Sequence, residues 1–432
     1  MVSRRGLLLG SATALPALAA RRKKKDDEFD GWPGNSLRAT GRFRIARSRS
    51  AYWLVTPAGH PLIVTGLCHT QMPPPELRVR EDRTAEKFGN DSQRYSADVV
   101  SWMRNAGFNT FSYGVPTGGE SAMNRFAELN LAPGFINGPQ FPDLFDPGWR
   151  ASAAAKIAST VPIAAKDTRV IGYVLSNPLL FSPHMERPAI WRDGQVKRQN
   201  YLMALKALPD HAPGKRAYQE YLRRTGRQGW VPATVSREYE TLNPDDARFY
   251  TEMWSDLTAF LVREIRKHDE DGIIFSYRFI RPMRWPDPWL DAMIRGVGPH
   301  VDALAAELYA DNAYREIVDG IGAATGKPTV VLDGMREREF IFADEANDER
   351  EAQSYREMYQ SLTASPWFLG GCICEYRQKL PNNPNYSPRP KEGRMGVRNA
   401  DYTDRPALLA AFRDLHSRKY LLREELLKRD RH

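Results

Sequence analysis

Three cysteines in 432 residues are too few, and odd in number, for a disulfide framework. Cys68 closes one strand-like run, while Cys372 and Cys374 stand two apart on another and share a face on which vicinal pairing fits poorly. All three read as small buried apolar side chains. The eight histidines contain no HExxH pattern and no close pair, so the sequence offers no metal site and no cofactor is expected. Thr325-Gly326-Lys327-Pro328 lacks the first glycine of a phosphate loop and leads into a strand instead of a helix; it reads as a turn. Long apolar runs are absent too. The stretch ending at Leu18 is short and diluted by Gly10, Ser11 and Thr13, which excludes stable membrane insertion through it. No repeat of solenoid period occurs. Acidic residues are missing from positions 1–25, which hold seven of the basic ones; of the formal net charge of +9, only about +2 remains for the rest of the chain. A near-neutral body excludes a nucleic-acid partner as the reading of that charge.

What the N-terminus does contain is Ser3-Arg4-Arg5-Gly6 before Leu7-Leu8-Leu9, then Ala17-Leu18-Ala19 as a small-residue cleavage site. This arrangement resembles a twin-arginine export signal, and no cysteine follows that would carry a lipid. The expected organisation is a signal peptide over 1–19, a flexible basic-then-acidic segment over 20–40, and one domain over 41–432. The resulting location is periplasmic or extracellular.

Beyond residue 40, two short strand-like runs, Gly41–Arg47 and Ala51–Thr56, precede a turn at Pro57-Ala58-Gly59-His60, predicting a β-hairpin. Apolar runs then alternate with helical segments, as in parallel α/β architecture. Eight core strands are predicted at Leu62–Cys68, Asn109–Tyr113, Leu131–Ile136, Val170–Leu175, Gly272–Arg278, Val301–Tyr309, Pro328–Asp333 and Phe368–Tyr376. Eight is the number of a (β/α)8 TIM barrel. Helices are expected between them, at Ser96–Ala106, Glu120–Leu129, Trp149–Ala165, Asp246–Lys267, Trp289–Arg295, Ala313–Ile321 and Glu351–Leu362. A helical insertion over 179–271 separates strands four and five, and 377–402 reads as a long loop.

The run Tyr52-Trp53-Leu54-Val55-Thr56-Pro57-Ala58-Gly59-His60-Pro61 resembles the opening hairpin of the agarase-type glycoside hydrolases. Gly66-Leu67-Cys68-His69, Ala106-Gly107-Phe108-Asn109-Thr110, Ala207-Leu208-Pro209, Ala212-Pro213-Gly214-Lys215 and Ala217-Tyr218 are similar to later stretches of that family, in the same order. The resemblance implies a barrel glycosidase in which an Asn-Glu pair ends strand four and a glutamate ends strand seven, as acid/base and nucleophile. Here those positions hold Asn177-Pro178 and Asp333. Proline moves no proton. Aspartate reaches about 1.5 Å less far than glutamate, and a misplacement of about 1 Å can cost roughly a hundredfold in rate.

Two outcomes stay open at this level. The carboxylates have moved, with Asp333 working beside Glu307 and Glu375 on neighbouring strands; or Glu307 pairs with Arg278 and Glu375 with Arg377 or another basic residue as structural salt bridges. The resemblance further implies sugar contacts at the mouth, for which His69, Tyr113, Asn177, Tyr277, Arg278 and Tyr309 are the candidates. Trp285 and Trp289 are possible stacking platforms. The partner class is then a poly- or oligosaccharide, either cleaved or bound without turnover. A scaffold barrel with a filled cleft is the remaining alternative.

Overall fold

The computed structural model describes residues 27–48, 50–74, 83–131, 143–175, 201–206, 208–227, 244–280, 286–309, 314–335, 348–378 and 396–429. Asn177, Pro178, Trp285 and the N-terminal signal lie outside the described residues. Three short antiparallel strands come first: β1 (Arg44–Ser48), β2 (Ala51–Val55) and β3 (Pro61–Leu62), paired in the order β1-β2-β3. The expected hairpin is there, and Pro61–Leu62 belongs to it instead of to the first core strand.

Eight parallel strands then close into a barrel: β4 (Val64–Leu67), β5 (Thr110–Phe111), β6 (Asn124–Glu128), β7 (Val170–Val174), β8 (Ile273–Ile280), β9 (Ala303–Leu308), β10 (Thr329–Gly334) and β11 (Phe368–Ile373), with β11 hydrogen-bonded back to β4. This is a (β/α)8 TIM barrel. Every residue of β9, β10 and β11 is buried, because helices cover the outside of a parallel barrel while side chains fill its interior.

One expectation fails at the third strand. Glu120–Leu129 reads as a helix, and Leu131–Ile136, of which 132–136 lie outside the described residues, as the strand after it; instead Asn124–Glu128 is the barrel's third strand, paired with β5 at Thr110 and Phe111 and with β7 from Arg125 onward. Ala, Glu and Leu give the segment helical propensity, but two ready strand neighbours outweigh a preference worth only tenths of a kcal/mol per residue. Asn124 adds a side-chain bond to the Phe29 carbonyl at 2.8 Å.

The helices are α1 (Thr84–Phe88), α2 (Ser92–Asn105), α3 (Pro147–Ala164), α4 (Tyr201–Lys206), α5 (Pro213–Arg224), α6 (Pro244–Arg266), α7 (Pro288–Val297), α8 (Tyr314–Thr325), α9 (Asp348–Ala364), α10 (Pro406–Ser417) and α11 (Lys419–Arg429). Aspartate caps start several of them. Asp91 accepts from the Gln93 and Arg94 amides, Asp146 from Trp149, and Asp287 from Trp289 and Leu290. Each such cap contributes about 1 kcal/mol. Within the 179–271 insertion the described part holds the helices α4, α5 and α6, with Phe249 packing edge-on against Tyr218.

Inside the barrel, Val64, Phe126, Ile171, Phe275, Ala303, Ala305, Val330, Leu332, Leu369 and Cys372 form one apolar cluster, joined by Phe29 and Phe43 from the N-terminal segment. That segment is anchored from Asp27 onward, where a flexible tether was expected over 20–40. The Trp32 ring stacks on Tyr420 of α11 at 5.5 Å. Arg42 also clamps Asp269 with two nitrogens, and Asp269 takes a further bond from the Tyr173 hydroxyl at 2.6 Å. Among the described residues, no helix is long and apolar enough to cross a membrane.

Candidate functional site

The carboxyl ends of the barrel strands bring titratable side chains together. Cys68 and His69 follow β4, Tyr113 follows β5, Glu128 ends β6, Arg278 lies near the end of β8, and Glu307 lies in β9 with Tyr309 just beyond it. Asp333 is the penultimate residue of β10, and Cys374 and Glu375 follow β11. In a barrel of this kind, that end is where loops and strand tips converge on a ligand. The tip of β7 would carry Asn177 and Pro178, which are outside the described residues.

Asp333 is the centre of the cluster, only 4% exposed. Its position follows from the strand that carries it: Asp333 pairs in register with Glu307. The next residue, Gly334, has φ +102°, and a Cβ there would lie 1.9 Å from the Leu308 carbonyl oxygen, so the turn out of β10 requires glycine. Oδ1 accepts from the Tyr309 hydroxyl at 2.8 Å and lies 3.4 Å from the Cys68 sulfur; Oδ2 accepts from the Tyr113 hydroxyl. Tyr113 also meets His69 Nε2 at 2.8 Å, with the two rings edge to face. His69 itself has a positive φ of 54°, held by its amide bonding the Tyr113 carbonyl.

Arg278 joins two acids. Its Nη1 lies 3.8 Å from Asp333 and its Nε 3.5 Å from Glu128, while the guanidinium carbon sits 4.1 Å from the Tyr113 ring centre. Burial acts against charge on Arg278, but Glu128, Tyr113, Asp333 and Glu307 more than compensate and its pKa is raised. Burial also pushes the Asp333 carboxyl up, yet Arg278, His69 and the two tyrosine hydroxyls outweigh it and hold the group below the usual aspartate range. Glu128 goes the other way. Burial raises it and Arg278 only partly offsets that. The cluster therefore pairs a carboxyl that stays ionised to lower pH than usual with one that retains its proton to higher pH, a combination suited to acid–base work.

The thiols divide in the same way. Burial raises Cys68 well above an ordinary thiol, whereas the hydrogen bond with Cys68 holds Cys374 below it. Cys68, Asp333 and Cys374 place a ligand atom each within 4.8 Å of one another, and so do His69, Cys374 and Glu375. Sequence reasoning had treated the cysteines as apolar filling. All three are buried, as expected; Cys372 packs in the barrel interior, while Cys68 and Cys374 form a small apolar cluster with Tyr309 that borders this polar centre.

Of the expected site residues, His69, Tyr113, Arg278, Tyr309, Asp333, Glu307 and Glu375 lie at strand ends around the mouth, all buried except the partly exposed His69 and Tyr113. Tyr277 does not join them. It points out of the barrel into α6, edge-on to Trp254 at 5.2 Å, because alternate residues of a strand face opposite sides. Trp289 is likewise buried against Tyr250 at 5.5 Å and offers no platform. Arg278 has Glu128 and Asp333 within salt-bridge reach, a pairing missed together with Glu128 itself. The sequence signal for Glu128 was faint: one acid at the end of a five-residue strand that reads as helix.

No protein-family model matches the chain, and no curated protein matches it by sequence. Solved structures do share the fold. BpGH50 superposes with a TM-score of 0.70 at 14% identity, covering 96% of this chain and 92% of that one. An agarase, AgWH50C, gives 0.67 at 16%, over 92% of this chain and 66% of its own length. An exo-β-agarase gives 0.66 at 14%, over 93% and 68%. The chain thus spans about two thirds of the two agarases and nearly all of BpGH50. At these identities the likeness is one of fold: the chain has the barrel architecture found in agarases.

Proposed function

We propose that the chain is a carbohydrate-directed barrel of the agarase-like type, which binds a poly- or oligosaccharide at its mouth through a site no longer built for ordinary retaining hydrolysis. The observation that carries this is the engagement of Asp333. A nucleophile must present a carboxylate oxygen to the anomeric carbon, with its partner acid about 5–5.5 Å away. Asp333 is buried, with Tyr309 and Tyr113 donating to its two oxygens and Arg278 beside it, which sets the carboxylate back from a sugar at the mouth. With Asn177-Pro178 at the position of the family's Asn-Glu pair, the usual acid is also missing. His69 and Tyr113, partly exposed at the mouth, supply the polar and aromatic surface on which a sugar would rest, with buried Arg278 and Tyr309 behind them.

A second reading rests on one feature, the opposed protonation of Glu128 and Asp333 across Arg278. Under it, Glu128 donates a proton to the leaving oxygen and Asp333 serves as base or nucleophile. One experiment separates the two: a screen of polysaccharides and aryl glycosides for turnover and for binding, with wild type, Asp333→Asn and Glu128→Gln side by side. Binding without turnover in all three supports the first reading. Turnover that both variants lose supports the second, and neither binding nor turnover on any sugar overturns the carbohydrate assignment.

Export through the twin-arginine-type signal at 1–19, ahead of a single domain, belongs to the same proposal, supported by Arg4-Arg5 before the apolar stretch. Cell fractionation of wild type beside the Arg4→Lys/Arg5→Lys double variant tests it. Retention of the variant in the cytoplasm is expected, and equal export of both would refute it.

A further inference from the structure

We propose that the barrel mouth holds a zinc-class divalent metal ion, bound by the Cys68 and Cys374 sulfurs, an Asp333 carboxylate oxygen and the His69 imidazole. The four side chains come from the ends of β4, β10 and β11, three strands adjacent in the barrel. The Cys68, Asp333 and Cys374 ligand atoms all lie within 4.8 Å of one another and form the core of the site; the His69 ligand atom lies within that distance of Cys374, in a second triad completed by Glu375, and turns toward the core when the ion is loaded.

Geometry favours a small tetrahedral ion. With metal–sulfur and metal–oxygen bonds of about 2.3 and 2.0 Å, a tetrahedron sets the sulfur-to-oxygen edge at about 3.5 Å. The Cys68 sulfur stands 3.4 Å from Asp333 Oδ1. Two sulfurs, one imidazole and one carboxylate form a donor set for zinc or a softer transition metal; magnesium and calcium take oxygen.

The surroundings are those of a supported site. A ligating carboxylate is ordinarily hydrogen-bonded from behind, and a ligating histidine uses its other nitrogen on an oxygen. Tyr309 and Tyr113 do the first for Asp333, and the Tyr113 hydroxyl meets His69 Nε2, which assigns Nδ1 to the metal. Charge closes as well. A divalent ion with two thiolates and one carboxylate carries a single negative charge, and the buried Arg278 guanidinium, which also faces Glu128, stands beside Asp333 to offset it. On loading, each thiol releases its proton to solvent as its sulfur takes the metal, and nothing is oxidised.

This inference does not rest on the carbohydrate reading, since metal uptake and sugar binding are measured separately. It bears on that reading in one respect: Asp333 bound to a metal is not a glycosidase nucleophile.

The test is titration of the reduced, metal-free full-length protein with Co2+ and then Zn2+, followed by absorption spectroscopy and elemental analysis. Expected are stoichiometric uptake, intense tetrahedral d–d bands with thiolate-to-cobalt charge transfer, and displacement by zinc. Cys68→Ser and Cys374→Ser should lose the charge-transfer bands, His69→Ala should shift the d–d bands, and Cys372→Ser, whose sulfur lies in the apolar interior, should match wild type. The wild-type spectrum alone carries the thiolate signature should a variant misfold. Absence of uptake, a weak octahedral spectrum without charge transfer, or bands unchanged in both serine variants would overturn the assignment.

Discussion

The two ends of this barrel are built from the same eight strands and solve opposite problems. Toward the floor, Val64, Phe126, Phe275, Val330 and Leu369 pack with Phe29 and Phe43 of the N-terminal segment, an arrangement stabilised by apolar burial alone. Toward the mouth, the strands carry Glu128, Arg278, Glu307 and Asp333 into comparably dry surroundings. Desolvating charges costs several kcal/mol each, and well-packed apolar residues of similar size would often be as stable or more so. A fold needing only stability would continue the floor upward. That it does not do so is the physical reason to look for function at the mouth.

The contrast breaks most visibly at Arg278. In Arg278→Met, buried Asp333 and nearly buried Glu128 lose their shared counter-charge, and unfolding free energy from urea titration at pH 7 is expected to fall by about 3–5 kcal/mol. Acid should relieve part of that loss, because protonating the carboxyls removes the repulsion. At the floor, Phe275→Ala removes a ring packed edge-on to Phe126 at 5.3 Å. Its loss is also about 3–5 kcal/mol, from lost burial and a residual cavity, and should hold at the same size from pH 5 to pH 8. Equal pH dependence for the two variants would refute the division between ends.

His416 sharpens the comparison from outside the barrel. It is buried on α10, with Nδ1–H donating to the Ala106 carbonyl at 2.9 Å and Nε2 accepting from Tyr355 at 2.8 Å. Burial, reinforced by Lys419, lowers its pKa to about 3. A pKa depressed in the folded state means that the unfolded chain binds the proton first. The contribution of His416 is therefore complete above about pH 6.5 and lost progressively as pH falls toward 3, at up to about 1.4 kcal/mol per pH unit. Melting temperature should decline across that window in wild type and decline less in His416→Gln. A parallel decline would remove His416 as the cause.

Much of the architecture was legible because parallel strands are long apolar runs: β9, β10 and β11 are buried along their whole length, and their sequences say so. The third strand was not. Asn124–Glu128 is short, rich in helix-forming residues, and a strand only because Thr110–Phe111 and Val170–Val174 flank it. At the mouth, the acids at the ends of β9 and β10 could be named from strand position. The link through Arg278 to Glu128 could not, since it depends on a strand misread as helix. The cysteines are buried in apolar clusters as expected, but the meeting of Cys68 with Cys374 beside Asp333 was not legible. Residues 68 and 374 are far apart in sequence, and only closure of β11 onto β4 makes them neighbours.

Glu128 offers the finest distinction and the smallest effect. Its carboxyl is raised by burial more than Arg278 lowers it, so its ionised form is less favourable in the folded state than in the unfolded one. The sign is opposite to that of Asp333, which lies below its ordinary value and stabilises the fold when ionised, losing that contribution only as pH falls through its folded pKa. Glutamine resembles the protonated form of Glu128. Relative to wild type, Glu128→Gln should therefore gain stability as pH rises from about 4.5, in paired denaturation curves. A constant difference at all pH values would mean that Arg278 fully compensates both acids. The mouth would then be a closed salt bridge, with no carboxyl left to hold a proton for chemistry.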